Sequence, residues 1–500
     1  MTNQQKYKQL HKILDDAAVY ARAIGKMDFD IQCCAPEEGL PQAGEDIAVL
    51  SQQYFKLTHS KKFERLVTEL AADHEGLTPV QQKVVEHLSD DWEKIKNIDA
   101  KLNYEMSLAS SRAYAKWLEA KKESDFSIFR DAFAALIGYT QKTIDLRDEK
   151  KATYYDTCLD DFEKGGSIQQ LDAFFGALKA RIVPLLARIQ KDGKPIRTDF
   201  MTRPCPIPQQ EAFSKYLLEL EGLRQKALVL MTTEHPFTTN FGQHDVRVTT
   251  HYYEENFISN IFTTLHEGGH ALFMQNEPDE FYREHACDSM SSAMHECISR
   301  FYENLIGRSE AFIHFVYPKL REITGDTFAD MTERELYEAV NVAQPGLIRC
   351  DADELTYCLH ILVRYELEKA FVNGEITVDE IPALWNAKYK EYLGVDVPDD
   401  AQGCLQDVHW SGSYGYFPSY ALGSAYGAQL LRKMKETVDV DECLKTGNFA
   451  PINAWNREHI WQYGCLKKPG ALLEQALGEK FDPTVYTQYL EEKYGEIYGL

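Results

Sequence analysis

The stretch FTTLHEGGHALF, Phe262 to Phe273, puts two histidines four residues apart in what otherwise reads as an amphipathic helix, with a glutamate and two glycines between them. At 3.6 residues per turn, His266 and His270 project from one face about one turn apart, where both imidazoles can reach a single cation. Ile258, Ile261, Phe262, Leu265 and Leu272 form the adjoining apolar stripe, which places the histidines at the rim of a packed core. Gly268 and Gly269 each cost a helix interior about 1 kcal/mol relative to alanine, so something must approach that backbone closely: a neighbouring chain segment or a bound peptide.

His-Glu-x-x-His is a metal-binding and catalytic arrangement: the histidines bind Zn²⁺ and Glu267 serves as general base. Both halves are needed. Water is a poor nucleophile at neutral pH until a cation lowers its pKa, and a carboxylate must then take its proton. A catalytic zinc takes three protein ligands. The third is sought in SSAMHECISRFYENLIG, a second helix with an apolar stripe at Met290, Met294, Cys297, Phe301 and Leu305. Glu296 lies off that stripe as candidate ligand, with His295 as its competitor; alternatively Glu296 only pairs with Arg300 at i, i+4.

Working outward, the first 230 residues repeat apolar positions every three or four residues, as in YKQLHKILDDAAVYARAIGKM and LDAFFGALKARIVPLLARIQ, and read as helices. EKGGS and KDGKP are turns, and the prolines of TRPCPIPQQEAF (residues 202–213) make a longer loop. HDVRVTTHY, residues 244–252, alternates and reads as a short strand just before the histidine helix. The expected class is mainly α with a small β-sheet near that helix.

The chain has 500 residues, 44% of them hydrophobic, enough for a large core. With 54 basic and 78 acidic residues its formal charge is −24, which repels nucleic acid and anionic membranes. MTNQQKYKQLHKIL lacks the apolar segment of a secretion signal and no later stretch is long enough to cross a bilayer, so the expected address is cytoplasmic. The 11 cysteines, scattered and odd in number, suit a reducing compartment and read as buried small apolar groups.

Two further segments carry polar candidates. Arg349, in GLIRCDADELTY, precedes a helix and offers the fork that grips a carboxylate, with pairing to Asp351 or Asp353 as the alternative; Arg247, in the strand, is the reserve. QDVHWSGSYGYFPSY supplies His409, Tyr414, Tyr416 and Tyr420 on a glycine-rich loop, and His409 and Tyr416 are the candidate donors to a developing oxyanion.

HPF (235–237), DVRVT (245–249), HEGGH (266–270), HECISR (295–300), IRCDADELTY (348–357) and GCLQDVHW (403–410), in that order, closely resemble the signatures of the M32 metallocarboxypeptidases, over most of the chain. The resemblance implies His266, His270 and Glu296 as ligands of one divalent ion per chain, Zn²⁺ first and Co²⁺ or Mn²⁺ as alternatives, with Glu267 as base. It also implies Arg349 as the clamp for the terminal carboxylate, and His235 and Asp245 as residues shaping the substrate cleft, to which Tyr420 of the glycine-rich loop is added as a substrate-binding candidate. The family usually reads His-Glu-Ser-Gln at the third-ligand motif, where this chain has Cys297 and Ile298 after Glu296. The expectation is one catalytic unit, residues 1–500, around a deep groove, with residues 1–110 covering it and 111–500 forming the body. It would be a homodimer releasing single amino acids from peptides with a free C-terminus. Rivals are a zinc endopeptidase or dipeptidyl carboxypeptidase, and a peptide-binding metalloprotein without catalysis.

Overall fold

In the computed structural model, which describes residues 1–286 and 291–500, helices dominate and the only strands among those residues form one three-stranded sheet. The N-terminal helix, Asn3–Cys33, starts with a reciprocal Thr2–Gln5 capping box, which satisfies two of the amides a helix start leaves unpaired. Residues 171–190, read as helical, lie within the helix Ile168–Asp192.

The proline loop is shorter than expected. A helix runs from Ile207 to Leu220, with Pro208 in its first turn, where the missing N–H would have no intrahelical partner in any case. The strand is found at β3 (Val246–Thr250) and is central: β1 (Leu228–Thr232) pairs with it in parallel and β2 (Thr238–Asn240) antiparallel. Val246 and Val248 are buried against the histidine helix, Phe257–Asn276.

Two apolar cores result. The larger spans residues 113 to 498 and includes Leu265, Leu272, Met294, Cys297 and Phe301. The smaller joins Tyr7, Leu10, Leu14, Phe63, Leu66 and Val84 of the N-terminal helices to Phe281, Ala286 and Cys465. Between those helices and β2 lies a cleft of about 630 Å³, lined by Ala17, Arg22, Trp92, Asn240 and Phe241 among others. The residues lettered in the second stripe are buried as expected, apart from Met290, which lies outside the described residues.

The cysteines correct their expectation in part. Cys158, Cys205, Cys297, Cys358, Cys404 and Cys465 are buried, but Cys34 and Cys350 are exposed and Cys33 and Cys443 half-buried. Cys33, Cys34, Cys158, Cys205, Cys297, Cys350, Cys358, Cys404 and Cys443 are free thiols.

Candidate active site

Asn256 caps the histidine helix by accepting from the Ser259 amide. Its glycines are explained by neighbouring chain, not by a bound peptide. A Cβ on Gly269 would lie 2.8 Å from Ser299 Cα and 2.9 Å from the Ile298 carbonyl oxygen, both on the glutamate helix, Ser292–Arg300. A Cβ on Gly268 would lie 1.9 Å from the buried carboxylate of Glu221. From the other side, Gly423 lets the helix Phe417–Met434 press against Glu296, where a Cβ would come within 2.7 Å of the Glu296 Cβ. Missing side chains on two helices thus set the glutamate helix tightly between them.

That packing brings the three candidate ligands together. One atom from each of His266, His270 and Glu296 lies within 4.8 Å of the other two. His266 Nε2 is 3.8 Å from Glu296 Oε2, while its Nδ1 is 2.9 Å from the Glu303 carboxylate. A carboxylate only accepts, so Nδ1 carries the proton and the Nε2 lone pair faces the cluster. Burial opposes charge on His266, but the Glu303 hydrogen bond and the Glu296 charge outweigh it and raise its pKa. Burial, aided by the His266 charge, holds His270 well below the usual range and therefore neutral. Two imidazoles and one carboxylate converging on one point are a donor set that fits a divalent cation, which would stand in place of the proton that Glu303 and Glu296 favour on His266.

His295 is elsewhere: its ring packs on Phe273 at 4.7 Å and beside His270 at 5.4 Å, and burial drops its pKa to about 4. Glu296 also makes the Arg300 contact, at 3.9 Å, so the helix pair coexists with the cluster. Glu267, 6% exposed, accepts from the Thr238 hydroxyl of β2 at 2.6 Å. Burial raises its pKa; the His266 charge and the Thr238 hydrogen bond pull the other way.

Arg349 is 7% exposed and pairs with neither Asp351 nor Asp353. Its Nε and Nη2 each lie 3.0 Å from Asp407, and Nη1 donates to the Tyr357 hydroxyl at 3.3 Å. Asp407 is shared with the fully buried Arg364, 2.7 Å away, and these cations hold its carboxyl, against burial, far below the usual range. Only Nε and one Nη1 N–H are spent in hydrogen bonds, so Nη N–H groups are left for a ligand. The guanidinium also faces the Tyr420 ring at 5.1 Å.

His409 stacks on Tyr416 at 5.8 Å and contacts Phe417 and Tyr420; burial lowers its pKa to about 4, and its Nδ1 has no partner. Burial, then the Glu296 charge, pushes the Tyr416 phenol up to about 12. Tyr420 thus links Arg349, 5.1 Å from its ring, to Tyr416, whose ring centre is 5.1 Å from its own. The segment is less loop-like than expected, since Tyr420 is on the helix Phe417–Met434. Tyr414 is core, packed on Phe133 and Phe371.

Arg247 is gripped by Asp245 at 2.9 Å and stacked between Phe29 and Phe241, and Asp245 also pairs with Lys26 of the N-terminal helix. These two residues join the sheet to that helix. His235 is exposed. Sequence reading assigned nothing to Thr238, Glu303, Tyr357 or Asp407, although two of them stand in quoted motifs. Glu303 falls in a π-helical turn, Phe301–Ile306, whose phase no helical periodicity reports.

A mainly helical body that gathers two histidines and two glutamates beside a buried arginine defines a metallopeptidase. The chain belongs to the M32 family: the family described as Carboxypeptidase Taq (M32) metallopeptidase matches residues 9–494. It is similar to Carboxypeptidase 1 of Bacillus subtilis, 37% identical with 99% of each chain covered. It is also similar to Thermostable carboxypeptidase 1 of Thermus thermophilus, 34% identical over the whole of both. The crystal structure of an M32 carboxypeptidase from Deinococcus radiodurans superposes with a TM-score of 0.94 at 29% identity, covering 99% of this chain and 100% of that one. The protein is accordingly a metal-dependent carboxypeptidase that acts on peptides.

Proposed function

We propose that His266, His270 and Glu296 hold one Zn²⁺, with Co²⁺ or Mn²⁺ accommodated by the same donors. The observation that carries this reading is the convergence of those three ligand atoms within 4.8 Å of one another. When bound, the ion supplies Lewis acidity toward the scissile carbonyl and acidifies water. Glu267 accepts the proton of the attacking water on a carboxylate oxygen and returns it to the departing amine. Thr238 fixes that carboxylate. The Nη N–H groups of Arg349 left by Asp407 and Tyr357 take the substrate's terminal carboxylate. His409 and Tyr416 donate to the carbonyl oxygen as it becomes negative. Tyr420 flanks the clamp, while His235, Asp245 and the reserve clamp Arg247 shape the cleft wall.

Release of one amino acid at a time follows from a clamp close to the scissile bond. Residues 1–110 cover the groove, and 111–500 form the body of a single catalytic unit. Tyr104, Leu108, Tyr114 and Leu118 are exposed on one face of the helix Ala100–Glu123, which supports a homodimer that buries them. No described helix is long and apolar enough to cross a membrane, and the free thiols favour a reducing, cytoplasmic setting.

The Glu267→Gln variant should keep its metal and lose kcat by at least ~10³-fold; unchanged turnover would refute the assigned base. One peptide offered with a free and an amidated C-terminus separates this reading from an endopeptidase, which cleaves both.

A further inference from the structure

About the N-terminal helix a second cluster repeats the logic of the first. One ligand atom from each of His11, Asp15 and His285 lies within 4.8 Å of the other two. His11 and Asp15 are one turn apart on one helix face. His285 belongs to the connection between the histidine helix and the glutamate helix, and its backbone is left-handed, with φ of 59°. His11 Nδ1 is 3.1 Å from Asp15 Oδ2, and His285 Nε2 is 2.9 Å from Asp15 Oδ1. The other nitrogen of His11, Nε2, is 2.8 Å from the Arg283 carbonyl oxygen.

A carbonyl oxygen only accepts, so Nε2 must carry the proton. The Nδ1 of a neutral His11 then points its lone pair at a carboxylate oxygen, which is repulsive unless something positive lies between them. The Arg283 carbonyl does for His11 what Glu303 does for His266: it fixes the tautomer that a metal-binding histidine requires.

We infer that His11, Asp15 and His285 form a second divalent-metal site, distinct from the catalytic cluster, that ties the N-terminal helix to the connection between the two ligand-bearing helices. Two imidazoles and one carboxylate favour Zn²⁺ and the neighbouring ions Co²⁺, Ni²⁺ and Cu²⁺ over Mg²⁺ and Ca²⁺, and availability makes Zn²⁺ the expected occupant. The direct contacts of 2.9 and 3.1 Å have only to open slightly, because ligands about 2.1 Å from a tetrahedral zinc are about 3.4 Å apart. Asp15 is 54% exposed, so water completes the shell and the metal enters without unfolding. The tie has a structural consequence, since the smaller core joins the same two segments through Tyr7, Leu10 and Ala286.

The test counts metal on the tag-free full chain. Protein is dialysed against buffered free zinc and analysed by plasma mass spectrometry. Wild type should hold two zinc ions per chain, His270→Ala one, and His270→Ala combined with His285→Ala none. In His270→Ala the remaining zinc should raise Tm, and Mg²⁺ at the same concentration should not. If His285→Ala fails to fold, Asp15→Asn, at an exposed position, should cause the same loss in the His270→Ala background. One zinc per wild-type chain at every concentration means that a proton alone bridges His11 and Asp15, and overturns the site. So does a zinc in His270→Ala that survives both Asp15→Asn and His285→Ala.

Discussion

The Glu303 carboxylate lies 2.9 Å from Nδ1 of His266 and 3.3 Å from the Arg300 guanidinium. Burial would raise its pKa, but the Arg300 charge, then His266, prevail and lower it to about 2, so Glu303 stays an anion. It both orients His266 and increases the electron density its other nitrogen offers. Glu303→Gln should weaken metal affinity by roughly 10- to 100-fold, measured by competition with a chromogenic chelator. Unaltered affinity would show that packing alone orients the ring.

Thr238 reaches Glu267 with one hydroxyl that is 2.6 Å from the carboxylate and 3.0 Å from the backbone carbonyl. Thr238→Val keeps the shape and deletes the donor. The loss of about 1.5 to 3 kcal/mol from a hydrogen bond to a charged group predicts a kcat lowered roughly ten- to a hundredfold with KM little changed. Steady-state kinetics on one free-carboxylate peptide decides it; a shift confined to KM would place Thr238 in substrate binding.

Arg349 owes its position to Asp407, which receives Nε and Nη2 and also neutralises Arg364. A lysine cannot make that fork. Arg349→Lys should therefore raise KM for free-carboxylate peptides by ten- to a hundredfold, and should leave the already poor cleavage of the amidated peptide unchanged. Equal losses on both peptides would mean that the substitution has collapsed the site around a bare Asp407.

The helical class, the strand Val246–Thr250 and the His266 and His270 pair were legible in the sequence because each rests on a period, 3.6 for the helices and 2 for the strand, whereas Glu296 was singled out only by the family resemblance. What was not legible depends on tertiary approach. Glu296 and His295 are neighbours in sequence, and only the crossing at Gly269 and Gly423 decides which of them faces the histidines. Asp407 meets Arg349 across 58 residues, so the only pairing the local sequence offered as an alternative to the clamp, with Asp351 or Asp353, is not the one that forms. Strand β1 is as long as β3 but buries none of its residues fully, and β2 has only three residues to carry an alternation.

Gly269 supplies a further test. An alanine there would set its Cβ 2.8 Å from Ser299 Cα and 2.9 Å from the Ile298 oxygen, backbone atoms that cannot rotate aside. Overpacking of this kind costs typically 1 to 3 kcal/mol. Gly269→Ala should lower Tm by a few degrees and, because the glutamate helix must retreat, weaken metal binding as well. Destabilisation without any change in metal affinity would mean that the helices yield elsewhere and Glu296 keeps its place.

Stability should also respond to pH through Glu163, which accepts from the Ser291 hydroxyl at the start of the glutamate helix. Its other carboxylate oxygen is buried without a partner, and burial raises its pKa to about 7, the Ser291 hydrogen bond opposing. Between the unfolded value near 4.5 and about 7, the folded protein holds a proton that the unfolded chain has lost. Stability from this group therefore falls as pH rises through that window, by up to about 1.4 kcal/mol per pH unit. Glu163→Gln is neutral at every pH and removes the term, so the variant should gain on wild type as pH goes from 5 to 7.5, whatever its offset at pH 5. Calorimetric Tm values across that range test the sign, and a constant difference would show that Glu163 carries no excess proton in the folded state.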